Sequence, residues 1–208
     1  MDRSSSIGTL AEILAGMKAS MTPFTNEVVQ LIGRALQDPE PEVVNNACFA
    51  IGLVIEHSEV DLSSQYLPLL GQLRGLFAPG PDAKPAVLNA RDNAAGAVAR
   101  MIIRNSAAVP LDQVIPVLLG ILPLSADPIE NKTVFRAFLV LFETNPQPLL
   151  AHIDAFLAVV ARVLEPPRDQ QEDLVGDEVR AGLMQLVKAL YAQNAAKIEA
   201  AGLAQYAQ

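Results

Sequence analysis

Four stretches of this chain close in the same way: IEHSE, IIRNSA, LFETNP and LYAQNA. Their markers Ser58, Asn105, Asn145 and Asn194 recur at intervals of about 40 to 49 residues, the length of one helix pair with its turns. What lies between them is helical in period. Ile7, Leu10, Ile13, Leu14 and Met17 fall at three- and four-residue steps, as do Val28, Leu31, Ile32, Ala35 and Leu36, and then Val43, Ala47, Ala50, Ile51 and Val54. The same pattern runs through Tyr66–Phe77, Asn89–Asn105, Leu111–Leu122, Lys132–Thr144, Leu149–Leu164 and Asp177–Ala192. No stretch sustains a period of two, so strands are not expected.

A helix pair repeated at this period is the signature of the HEAT and armadillo arrays. The expected fold class is all-α, a right-handed superhelical HEAT solenoid. Leu/Ile-Gly steps recur at Ile32-Gly33, Leu70-Gly71 and Leu119-Gly120, and an early proline recurs at Pro68 and Pro116. The array is expected to run as one domain over 1–208. Residues 6–20 read as the second helix of an incomplete repeat, 24–58, 63–106, 111–145 and 148–194 as repeats, and 195–208 as a terminal cap. Short links at Gln37–Pro41, Ser58–Ser63, Leu124–Ile129 and Asn145–Pro148 carry the Asp, Pro, Ser and Asn of tight turns. Two longer polar links, Ala78–Pro85 and Glu165–Gly176, read as surface loops, with Pro166–Asp173 mobile for want of an apolar anchor.

Composition narrows the function. Fifteen Lys and Arg against 23 Asp and Glu leave a net charge of −8. That surface suits a basic partner and argues against direct nucleic-acid binding, which needs a basic face. Hydrophobic residues at 51% supply a core, and the absence of Trp fits stacked helices. Cys48 stands alone, so no internal disulfide forms, and with only His57 and His152 beside it a metal site is not expected. These counts point to a reducing compartment. The first twenty residues lack a signal-peptide pattern, and the longest apolar run, Val114–Leu124, is too short to span a membrane. Phosphate-loop, HExxH, GxSxG and CxxC patterns are all missing; no enzyme activity and no cofactor are expected. His57 reads as a helix-end residue and Cys48 as a small buried one.

The stretch DPEPEVVNNACFAIGLVIEHS, then YLPLL, then RDNAAGAVARMI, resembles the carboxy-terminal HEAT repeats of the importin-β superfamily of nuclear import receptors, and within it the importin-4 type. The resemblance extends from about Ile7 to Ala192. It implies the last few repeats of a much longer receptor that shuttles between cytoplasm and nucleus. It also implies that Ran binds at amino-terminal repeats outside this chain, and that cargoes are basic, lysine-rich extended segments such as histone tails and ribosomal proteins.

In such an array the second helices line one wall. On Pro41–His57 the core stripe is Val43, Ala47, Ala50, Ile51 and Val54, and the opposite flank is Glu42, Asn46, Phe49, Leu53 and Glu56. One repeat on, the flank is Asn89, Asn93, Gly96, Arg100 and Ile103, and the next opens with Glu130 and Asn131. Amides can fix an extended backbone, and a carboxylate beside an aromatic face suits a lysine ammonium. The cargo-contacting candidates are therefore Asn46, Phe49, Asp92, Asn93, Glu130, Asn131 and Asp177. Asp92 and Glu42 also read as ordinary helix-start acids, and Asp177 as an extension of an acidic wall. The alternative is a HEAT scaffold or regulatory subunit that binds folded partners.

Overall fold

A computed structural model describes residues 2–207. The fold is all-α and of the HEAT-repeat class, and no strand occurs among the described residues. The helices are α1 (Arg3–Met17), α2 (Thr25–Ala35), α3 (Pro41–His57), α4 (Tyr66–Leu73), α5 (Pro85–Asn105), α6 (Leu111–Ile121), α7 (Glu130–Thr144), α8 (Gln147–Leu150), α9 (Ile153–Leu164) and α10 (Arg168–Ala200). Short 3-10 segments follow α1 (Lys18–Phe24) and α4 (Arg74–Phe77). The chain divides into two compact units.

The first unit takes residues up to Val109 together with Ser125–Glu130. At its front Asp2 caps α1 by accepting the Ser5 N–H at 2.7 Å, which holds its carboxyl below the usual value. α3 and α5 both open with proline as the first helical residue, Pro41 and Pro85, where the missing N–H costs nothing. That start puts the beginning of α5 four residues ahead of the Asn89 expected from apolar spacing alone. α3 is the centre of the unit and packs on α1, α2 and α5. Its core stripe is buried as the period predicts, with Ala47, Ala50, Ile51 and Val54 fully inside. Opposite it α5 presents Ala94, Ala95, Gly96, Ala97 and Ala99, all buried. Small side chains let two helix axes approach closely. A buried hydroxyl pair, Thr25 and Ser58 at 2.6 Å, ties the start of α2 to the end of α3. Leu53, which the spacing places on the open flank of α3, is instead buried. Cys48 is also buried, and burial pushes its thiol up to about 12.

The second unit takes Pro110–Leu124 and Asn131 onward. Its core is built on aromatic rings. Phe138 meets Phe135 edge-on at 6.0 Å between ring centres and Phe156 at 5.8 Å. The expected single helix Leu149–Leu164 is two, α8 and α9, because His152 leaves helical geometry between them (φ −119°, ψ 30°). Residues 165–176, a polar surface loop on sequence grounds with 166–173 mobile, are helical from Arg168 up to a break at Gly176 (φ 75°, ψ 158°). The anchor that apolar patterning misses is polar. Gln171 is only 4% exposed, donates to the carbonyls of Leu164 (2.7 Å) and Pro166 (2.6 Å), and accepts from Arg180 (2.6 Å). Val175 is buried beyond it. A second break at Asn194 separates the last turns of α10 from the rest. There Ile198 and Leu203 are buried, and the Tyr206 hydroxyl donates to the Leu164 carbonyl at 2.6 Å. No helix among the described residues is long and apolar enough to cross a membrane.

Candidate polar wall on α3 and α5

The polar residues of α3 and α5 form a connected row inside the first unit. It begins at α1. The Asn46 side chain is half-buried and donates to the Ser4 carbonyl (3.0 Å) and hydroxyl (3.2 Å). Gly8 lies directly under that amide, since a Cβ on it would come within 3.2 Å of Asn46 Nδ2. Asn45, next on α3, carries the row across to α5. Its carbonyl oxygen accepts from Asn93 Nδ2 at 3.0 Å.

Asn93 is 4% exposed and heavily used. Its two amide hydrogens are shared among three acceptors, the Asn45 oxygen, the Asn89 carbonyl (3.2 Å) and Asp127 Oδ2 (3.0 Å). Its own oxygen, Asn93 Oδ1, is buried without a partner. Asp92 is fully buried. One oxygen accepts from the Arg91 guanidinium (2.7 Å to Nη2), and the other caps the turn before α7, accepting the N–H groups of Ala126 (2.8 Å) and Asp127 (2.9 Å). A carboxylate that takes two main-chain N–H groups and a guanidinium is satisfied without water.

Glu130 closes the row. It is 3% exposed and accepts Arg100 Nη1 at 2.7 Å, while Arg100 Nε donates to Glu56 at 2.7 Å. Burial works against the Arg100 charge, but the two glutamates outweigh it and hold the guanidinium above its ordinary pKa. Gly96 makes room for this arrangement. A Cβ there would collide with the Glu130 carboxylate and press on Arg100 Nη1.

The sequence alone puts Asp92, Asn93, Glu130 and Asn131 on an open wall. In the structure all four are buried: Asp92 and Asn93 under the turn that they bind at Ala126 and Asp127, and Glu130 against Arg100. Asn131 belongs to the second unit, where its amide is bonded to the Leu124 N–H (2.7 Å) and carbonyl (2.9 Å). Asp177, also in the second unit, is 69% exposed and lies 3.7 Å from Arg168. Phe49 is half-buried on α3. The row therefore joins Asn46, Asn93, Asp92 and Glu130 in one unit, and Asn131 and Asp177 stand outside it. Arg100, Asn45 and Asp127 complete it. Arg100 lies on the flank that the spacing predicts for α5, as Glu56 does on α3, and a basic and an acidic residue on neighbouring flanks are the signal that could have found it. Four carboxylates (Glu56, Asp92, Asp127, Glu130) face two guanidiniums (Arg91, Arg100), so the wall keeps a negative balance. Among the described residues no group of three His, Cys, Asp or Glu is placed to hold a metal ion.

No protein-family model matches the chain. Curated relatives do. "Probable importin subunit beta-4" of Schizosaccharomyces pombe is 34% identical over 192 residues, 92% of this chain and 17% of that protein. "Importin-4" of Homo sapiens is 28% identical over 96% of this chain and 18% of its own length. "Importin-4" of Mus musculus is 27% identical over 93% of this chain and 17% of its own. The chain thus spans less than a fifth of the relatives it matches.

Proposed function

We infer that this chain, a member of the importin-β family close to importin-4, is a cargo-recognising part of a nuclear transport receptor that shuttles between cytoplasm and nucleus. Its cargo on this reading is an extended lysine-rich segment of the kind carried by histone tails and ribosomal proteins. The role is one of binding, with no reaction catalysed. The observation that carries the reading is the negatively balanced polar row across α1, α3 and α5, on a chain whose net charge is −8.

The contacts divide by reach. Phe49, half-buried on α3, packs the aliphatic stem of a lysine, and exposed Glu42 and Glu56, about 21 Å apart along the helix, draw the heads of separate basic residues on either side of it. Asn46 gives or takes a main-chain hydrogen bond beside them. Asp92, Asn93 and Glu130 set the field and the spacing of the wall, and Asn93 Oδ1 is an acceptor in the row not already spent. In the second unit Asp177 is exposed and available to a basic segment, while Asn131 contributes only by giving up its bonds to Leu124.

The test is a titration of the chain with a lysine-rich tail peptide and with its acetylated form. Acetylation deletes the charge and keeps the stem, so it should weaken binding by about 1–3 kcal/mol. Phe49→Ala with Asn46→Ala should weaken it, and Glu172→Ala on α10 should not. Affinity should also fall as salt rises. Equal binding of both peptides, or a larger loss from Glu172→Ala, overturns the reading. One observation favours a second reading, a scaffold for folded partners: the buried members of the row are already bonded internally, as devices that hold adjacent helices in register would be.

A further inference from the structure

The far ends of α3 and α5 enclose a recess that the polar row does not use. It measures about 280 Å³ and is lined by Glu59, Asp61 and Ser63 of the turn after α3, Tyr66 at the start of α4, and Arg104 and Asn105 at the end of α5. It lies wholly within the first unit. Tyr66 is 3% exposed, yet no hydrogen bond reaches its hydroxyl among the described residues, so the buried ring delivers an unpartnered O–H to the recess. The oxygen itself is not sealed in, so it is open to a partner that enters the recess. Burial raises the Tyr66 pKa, so the hydroxyl keeps its proton as a donor through the neutral range.

The charged groups lie near that hydroxyl: the bonds from Ser63 hold the Asp61 carboxyl low, and Arg104 is close enough to help but does not contact it as an ion pair. Arg104 donates through Nη2 to the Ser58 carbonyl at 3.0 Å, and no ion pair joins it to Asp61 or Glu59. Asp61 spends one oxygen on the Ser63 N–H at 2.9 Å. Asn105 is fixed on the Ser63 hydroxyl at 2.8 Å. The recess thus holds two kinds of vacancy. Its lining supplies N–H and O–H donors, from Arg104 and Tyr66, and carboxylate acceptors, from Asp61 and Glu59. Two carboxylates against one guanidinium set the sign of the balance.

We propose that this recess is a docking pocket for one basic residue of a protein partner. The partner's main-chain carbonyl accepts from the Tyr66 hydroxyl and Arg104, and its ammonium or guanidinium head lies against Asp61 and Glu59. The proposal rests on the same basic-partner chemistry as the polar wall but at another place: Asn46 and Phe49 lie about 14 Å and about 9 Å back along α3 from Ile55 at 1.5 Å per residue, and of the wall only Glu56 stands beside the recess.

A blocked single residue tests it and is too small to depend on the wall. The probe is Nα-acetyl-lysine-N-methylamide, titrated into the full chain and followed by the NMR signals of the Tyr66 ring and the Asn105 side-chain amide. The matched norleucine and glutamate derivatives are the comparisons. Saturable shifts with the lysine derivative, and weaker ones with norleucine, are expected. Tyr66→Phe removes only the hydroxyl and should weaken binding about threefold or more. Asp61→Asn keeps a cap for Ser63 and should abolish the preference for lysine over norleucine. No saturable shift, equal binding of lysine and norleucine, or a preference for glutamate overturns the proposal. Loss of long-peptide binding on Phe49→Ala with these shifts intact would separate the pocket from the wall.

Discussion

The two units solve the same packing problem with different materials. In the first, α3 and α5 meet across alanines and glycines, and buried polar groups set their register. In the second, Phe135, Phe138 and Phe156 fill the space between helices, and the buried polar side chains, Asn131 and Gln171, serve mainly loop carbonyls. Alanine faces bury little apolar area per residue, so closeness has to come from the absence of bulk, and orientation from directional bonds. Aromatic packing is less directional and depends on volume. The first unit should therefore be sensitive to added atoms, and the second to removed ones.

The largest effect should fall on the second unit. Phe138→Ala, at a fully buried ring with two edge-on neighbours, should destabilise by about 3–5 kcal/mol in denaturant unfolding. A loss under about 1 kcal/mol would mean that the ring cluster is not what holds that unit. Next comes Gly96→Ala in the first unit. Its single methyl evicts the Glu130 carboxylate and should cost roughly 3 kcal/mol, the scale of a broken buried ion pair. The same methyl should cost much less when Glu130→Ala is already present, and that double-mutant cycle separates eviction of the carboxylate from a loss of helix propensity. Asn93→Ala should cost about 1–2 kcal/mol by stripping the donor from Asn45 and Asp127. If Asn93→Ala is neutral, the row is incidental and the contrast between the units fails.

The smallest effect is chemical. Cys48 should resist thiol reagents at neutral pH until the chain unfolds, since burial holds its thiol up to about 12. The folded value is the raised one. The stability tied to it is complete below the ordinary thiol range and declines as pH climbs through that range toward about 12. Comparing unfolding of the chain with Cys48→Ala at neutral and alkaline pH isolates that contribution. Rapid modification of the folded chain would place Cys48 at the surface.

Helix existence was legible wherever apolar residues keep step, as in α3, whose boundaries the spacing finds outright. The start of α10 was not, because Pro166, Pro167 and the run RDQQED present no apolar period. The helix there is anchored by Gln171, whose burial depends on carbonyls that sequence does not locate. The candidate site was half legible. Helical spacing set Asn93 against Asn46 and put Arg100 on the same flank, while the bond that crosses between the helices runs from Asn93 to Asn45, the residue beside Asn46. It could not tell an open flank from a covered one. That depends on where the turn before α7 lies over α5, which spacing along one helix does not locate.

The turn at Ser125–Glu130 has a consequence for exchange with solvent. Up to Ile129 it has no regular helix, and turn amides ordinarily swap hydrogen for deuterium quickly. Here the Ala126 and Asp127 N–H groups point at a carboxylate with no exposed surface. They should retain their protons about as long as the amides in the middle of α5, and lose them together when Asp92 is replaced by Asn. A loop segment would then report, on the clock of isotope exchange, each opening of the buried row beneath it.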